Sequence, residues 1–284
     1  MSAKVTHDRP GHSGRPDVKA AFTRVPLWLR KLLLYATAIL VWIGVWALAA
    51  RRIGEDLLLP GPGAVLRRLG ELAVTAPFWS AVGTSLLRIL AGMAAGITAG
   101  CLLALMTHFV PPLYVLFYPL ITVIRSTPVA SFIILVYLWI GRDVLPGFIS
   151  LLLVLPVVWT NLHEALGAVD KGLLEMASVF RLPPRKKLTR IYLPSVLPSL
   201  AAACRSSAGL SWKAGIAAEV LVVPVRSVGR HLSDAKLYLE TTDLFAWTLA
   251  VVLLSLLLEL VMLPAFARLD KAGRKNVQSG KETS

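Results

Sequence analysis

The sequence predicts an all-α membrane protein with about six transmembrane helices. Three observations carry this reading. The chain is 56% apolar and only 16% charged, against about 45–50% and about 25% in a soluble domain. Its mean hydropathy is +0.69. Its apolar residues fall in runs of roughly twenty, the length needed to cross a ~30 Å hydrocarbon core. Lipid is therefore the solvent for much of the surface.

Six spans can be drawn, at 32–50, 81–106, 113–140, 145–163, 195–222 and 245–267. The first ends Ala-Leu-Ala-Ala, which is slightly like a cleavage site. Its charged flank of about thirty residues is too long for a signal peptide and the run is long enough to span, so it reads as a retained helix. The second carries Gly92, Gly96 and Gly100 on one face, with Ala104 continuing the stripe. Glycine at four-residue spacing lets another helix backbone approach closely, which predicts helix packing there. The third is the least regular, because Pro119, Arg125 and Pro128 interrupt it. An interfacial helix followed by a shorter span is the alternative at that point.

The net charge of +14 lies in blocks between the spans, not along a nucleic-acid-binding face. With the N-terminus inside, eighteen Lys and Arg residues fall on inner segments and eight on outer ones. That asymmetry predicts both termini in the cytoplasm and accounts for the basic charge without nucleic acid. It also puts the long basic loop 164–194 on the inner side. Cys101 and Cys204 both lie in apolar runs, and the five histidines at 7, 12, 108, 163 and 231 are scattered. No metal site and no catalytic acid–base cluster is expected.

The loop 164–194 holds a short amphipathic segment from Gly172 to Phe180. Leu173, Met176, Ala177 and Phe180 recur at i, i+3, i+4 and i+7, giving one apolar stripe. A helix this short is marginal alone and needs something to lie against. That support is either anionic lipid headgroups, facing Arg185, Lys186, Lys187 and Arg190, or a cytoplasmic partner.

Glu175-Met-Ala177 followed by Ile191-Tyr-Leu193-Pro194 resembles the EAA loop of type I ABC importer permeases, E-A-A, three residues, G, nine residues, I-x-L-P. Met176 replaces an alanine, and Arg181 stands where the pattern has glycine. Without that glycine, the turn out of the helix is expected to rely on Pro183-Pro184. From about Leu58 onward the chain resembles the nitrate, sulfonate and taurine branch. Leu59-Pro-Gly-Pro62, Ser85-Leu-Leu-Arg88, Arg125-Ser-Thr-Pro128, Val169-Asp170, Leu193 to Pro198, and Trp212 with Glu219 carry that likeness.

The resemblance implies a permease subunit of an ATP-driven importer in the bacterial cytoplasmic (inner) membrane. It implies a cytoplasmic coupling helix contributing Leu173, Glu175, Met176, Ala177, Phe180, Arg181, Leu193 and Pro194 to the ATPase contact. The partners implied are two ATPase subunits, a second permease copy or a related permease, and an extracytoplasmic substrate-binding protein. The chain has no G-x-x-x-x-G-K-[ST] loop, so ATP and Mg belong to the partner ATPase and no cofactor to this chain. Branch members import small anions such as nitrate or sulfonates, or vitamin- and pyrimidine-like compounds. The organisation expected is a disordered basic tail at 1–30, a transmembrane permease domain at 31–270 and a cytoplasmic tail at 271–284. An ATP-independent secondary transporter or channel is the alternative, and it would show matched broken helices in two halves.

Charged residues inside spans are costly and mark function by default. Arg125, Ser126, Thr127, Lys213 and Glu219 are therefore candidates for a translocation path. Lys213 and Glu219, six residues apart, either line one water-filled route, or Glu219 pairs with Arg125 across the bundle. Arg88 and Arg205 sit near helix ends, where snorkelling competes with such a role.

Overall fold

The computed structural model describes residues 27–282, and the described residues are almost entirely helical. They fall into two units divided at Gly54. The first holds one helix, α1 (Leu27–Ile53), twenty-seven residues of near-continuous apolar sequence. Gly54, at φ +71°, ends it by accepting the left-handed conformation that other residues avoid, and its N–H reaches the Ala50 carbonyl at 3.0 Å. Of the 1–30 tail, residues 1–26 lie outside the described residues.

The second unit contains α2 (Pro62–Ala73), α3 (Ala76–Phe109), α4 (Pro111–Ser126), α5 (Val129–Tyr137) and α6 (Leu145–Gly167). These are followed by α7 (Lys171–Val179), α8 (Pro184–Lys187), a π-helical turn (Leu188–Tyr192), α9 (Leu193–Val222), α10 (Val228–Leu237) and α11 (Thr241–Glu282). Helix α6 packs between α3 and α9, and α11 covers the far side of α9. The core they share is apolar and aromatic: Ile89 and Met93 from α3, Val154 and Val158 from α6, Trp212 and Ile216 from α9, Trp247 from α11. A second cluster gathers Ile121, Trp159, Leu162, Leu166, Ala177, Ile191 and Val196 at the end of the bundle that carries α7.

The α3–α6 contact follows from the glycine stripe. A Cβ on Gly92 would fall on the Gly147 carbonyl group of α6. On Gly96 it would meet the Leu151 carbonyl oxygen at 2.8 Å, and on Gly100 the Val158 Cβ at 2.9 Å. Three bare backbone positions thus seat α6 directly on α3, where packing contacts supply the association that hydrophobicity does not in lipid.

Among the described residues, four helices are long and apolar enough to cross a membrane, at Leu29–Ile53, Ala76–Phe109, Leu145–Gly167 and Thr241–Met262. The span drawn at 113–140 is not one rod. It breaks into α4 and α5, bent by 106°. Thr127 is extended at φ −77°, ψ 133° because the ring of Pro128 bars it from the helical region. Pro119, by contrast, sits inside α4 without ending it. The remaining drawn span is α9, thirty residues long. Arg205, Lys213 and Glu219 interrupt its apolar sequence, so its membrane character rests on where those charges point.

Candidate functional site

The loop joining α6 to α9 is built by capping. Asp170 precedes α7, and its carboxylate accepts from the Gly172 N–H at 2.8 Å, satisfying one of the helix's free donors. The other end closes in a Schellman arrangement: Leu182 N–H donates to the Ala177 carbonyl at 2.9 Å and Arg181 N–H to that of Ser178 at 3.0 Å. Arg181 is the left-handed residue of that turn, at φ 48°. This corrects the expectation that Pro183-Pro184 makes the turn. Arg181 makes it, at a conformational cost of about 1 kcal/mol that glycine avoids. The two prolines instead open α8, where a missing N–H costs nothing.

The apolar stripe of α7 is also divided in a way periodicity did not reveal. Ala177 is fully buried against the chain's own core, beside Leu166, Val169 and Ile191. Leu173, Glu175, Met176, Val179 and Phe180 are exposed, Phe180 to 73%. One face therefore anchors the helix, and the other is an uncovered apolar surface edged by Glu175. Arg181, Arg185, Lys186 and Arg190 are exposed next to it. Leu193 is half exposed, whereas Pro194 is buried at the start of α9.

The candidate path residues do not converge within one chain. Arg125 and Ser126 border a cavity of about 480 Å³ between α4 and α6. Thr127 faces a small recess lined by Val129, Phe132 and Ile149. Lys213 borders a second cavity of about 460 Å³ with Arg205, Gly209 and Glu259. Glu219 is fully buried at the opposite end of α9 from α7.

Glu219 does not pair with Arg125. Its carboxylate accepts from Ser85 at 2.7 Å and from the Gly229 N–H at 3.2 Å, with the Arg88 guanidinium 3.7 Å away. Arg88 in turn reaches Asp143 at 3.0 Å and the Val225 carbonyl at 2.9 Å. Ser85 Oγ accepts from the Val228 N–H at 3.0 Å, and Asp143 from the Val225 N–H at 3.1 Å. So Arg88 is not a snorkelling side chain. It is the centre of a polar weld between α3, the 141–144 loop, α9 and α10. Gly229 is needed there, since a Cβ would collide with Glu219. The Ser85-Leu-Leu-Arg88 and Glu219 motifs each contained a member of this weld, but nothing in the sequence linked them to Asp143.

Sequence reading also missed an aromatic cluster. Tyr114 stacks on His163 at 4.6 Å and on Trp159 at 5.7 Å, and His108 lies 6.0 Å from His163. Among the described residues, no group of three His, Cys, Asp or Glu side chains is placed to hold a metal ion.

Comparison with known proteins agrees with this architecture. Residues 96–275 match the family model for binding-protein-dependent transport system inner membrane components. A putative aliphatic sulfonates transport permease protein of Bacillus subtilis (strain 168) is 24% identical over 220 residues, 77% of this chain and 78% of that one. The taurine transport system permease protein of Escherichia coli (strain K12) is 25% identical, covering 79% of this chain and 82% of its own. A bacterial alginate ABC transporter, crystallised with an alginate pentasaccharide-bound periplasmic protein, has a chain of the same fold. Its TM-score is 0.59 at 17% identity, covering 86% of this chain and 98% of that one. The chain belongs to the binding-protein-dependent transport system inner membrane component family, as a permease subunit of an ABC importer.

Proposed function

We propose that this permease couples to a separate ATPase through the exposed face of α7, and that ATP and Mg are held by that ATPase. The observation that carries the reading is the division of α7, with Ala177 anchored in the chain's core and Leu173, Met176, Val179 and Phe180 left bare beside Glu175. A helix held firmly on one side transmits force from whatever fills the other. The nucleotide cycle then moves the membrane halves as near-rigid bodies. Two ATPases, a second permease copy or a related one, and an extracytoplasmic binding protein complete the assembly, with both termini in the cytoplasm. The solute is a small organic or inorganic anion such as a sulfonate, by analogy with the two relatives named above.

The test separates the two faces. Phe180→Asp puts a charge on the exposed face, so the purified permease should melt as wild type while ATPase co-purification and uptake fall at least tenfold, the loss expected from one interface anchor. Ala177→Asp is different. It buries an unpaired carboxylate in the chain's own core, so the permease itself should lose stability or fail to accumulate. Single cysteines at Lys186 and Arg142 should react from opposite sides of the membrane, Lys186 from the cytoplasm. Normal ATPase binding and transport by Phe180→Asp would leave α7 as a lipid-surface element and refute the coupling.

A further inference from the structure

We infer that the cavity between α4 and α6 is a solute subsite for an organic anion, built to take a sulfonate or carboxylate group on an apolar or aromatic body. This rests on the importer reading above and adds the place where solute is held. At about 480 Å³ the cavity has the size of a small-molecule site. Its lining is of two kinds: Tyr114, Tyr118, Trp159 and His163 form an aromatic wall, and Arg125 with Thr160 forms a polar corner.

Arg125 carries the inference. Its guanidinium donates to Thr160 Oγ1 at 3.3 Å. Thr160 Oγ1 donates to the Pro156 carbonyl at 2.8 Å, which leaves its lone pairs for Arg125. Among the described residues no carboxylate lies within ion-pair distance of Arg125, whereas Arg88 has both Asp143 and Glu219. A cation on a membrane hairpin with one neutral partner is stable only facing water or an anion. Arg125 is also the single Lys or Arg bordering this cavity. Glu164, one helical turn beyond Thr160, borders it too and repels an anion from its own end. The charged group of a solute is therefore directed to Arg125.

The wall is held in advance of any ligand. Trp159 Nε1 donates to Thr107 Oγ1 at 3.0 Å, and His163 Nδ1 lies 3.2 Å from the same oxygen. Tyr114 stacks on both rings, within 26° of parallel to Trp159 and 20° to His163. Rings fixed in this way present apolar surface at little entropic cost on binding. Inorganic sulfate would satisfy Arg125 and leave the wall unused.

The experiment is equilibrium binding to the purified full-length permease without ATPase, using benzenesulfonate, methanesulfonate and sulfate as probes. Benzenesulfonate should bind saturably and at least tenfold tighter than sulfate. Arg125→Gln should weaken benzenesulfonate about tenfold, and Tyr114→Leu should weaken benzenesulfonate but leave sulfate unchanged. Arg205→Gln, in the other cavity, should change neither. Tyr114→Leu keeps the question open to test if Arg125→Gln does not accumulate. Equal affinity for sulfate and benzenesulfonate, unchanged binding in Arg125→Gln, or no saturable binding by the wild-type chain would overturn the inference. Because no ATPase is present, a failure of ATPase association would sink the coupling proposal and leave this result standing.

Discussion

Replacing Glu219 with alanine removes the acceptor at the centre of the polar weld. The bonds lost are the Ser85 hydroxyl at 2.7 Å, the Gly229 N–H at 3.2 Å and the Arg88 charge at 3.7 Å. Breaking a buried pair by deleting one partner costs about 3–5 kcal/mol, because the remaining charge is left desolvated. Arg88 keeps Asp143 and the Val225 carbonyl, which holds the loss within that range. At roughly 2–4 °C per kcal/mol for a chain of this order of size, the melting temperature should fall roughly 6–20 °C. Glu219→Gln keeps the volume and one acceptor oxygen and should cost about 1–2 kcal/mol. The double variant Arg88→Gln/Glu219→Gln exchanges a charged contact for a neutral one, so it should be less damaging than the summed singles by about 1 kcal/mol or more. Thermal unfolding in detergent, followed through the buried indoles Trp212 and Trp247, compares the wild type, Glu219→Ala, the single variants Arg88→Gln and Glu219→Gln, and the double variant. A Glu219→Ala chain melting within about 2 °C of wild type, or single effects that simply add, would refute the weld.

Arg181→Gly relieves a left-handed arginine and should stabilise the permease by about 1 kcal/mol, seen as a raised melting temperature. Gly92→Leu drives a side chain into the Gly147 backbone, which cannot yield, and should cost about 3 kcal/mol or more in the same assay. Gly63→Ala, in open space on α2, is its neutral control. His231, between α9 and α11, has its pKa lowered by burial and by Arg230, against the opposing pull of Asp234 and Asp243. The unfolded chain therefore takes up the proton first as pH falls. This contribution is complete above the unfolded value of about 6.5 and is lost as pH drops toward the depressed folded value. His231→Phe, which keeps the stack on Trp247, should flatten that acid loss in melting temperature between about pH 7 and 5.

The sequence by itself determined that the chain is helical and solvated by lipid, because hydropathy is summed along the chain and needs no partner. It also determined the family, since Glu175, Ala177, Ile191, Leu193 and Pro194 keep their spacing whatever they touch. What periodicity left undecided is which side of α7 faces inward, because Ala177 and Met176 are both apolar. Only the packing of α6 and α9 buries the first and bares the second. Arg181 could be recognised as a departure from glycine, but its left-handed backbone became visible only in the hydrogen bonds of the turn. The weld of Ser85, Arg88, Asp143 and Glu219 and the wall of Tyr114, Trp159 and His163 join residues distant in sequence. Their chemistry depends on helices brought together by glycine contacts such as Gly92 on Gly147, and contact of that kind is a property of the assembled bundle.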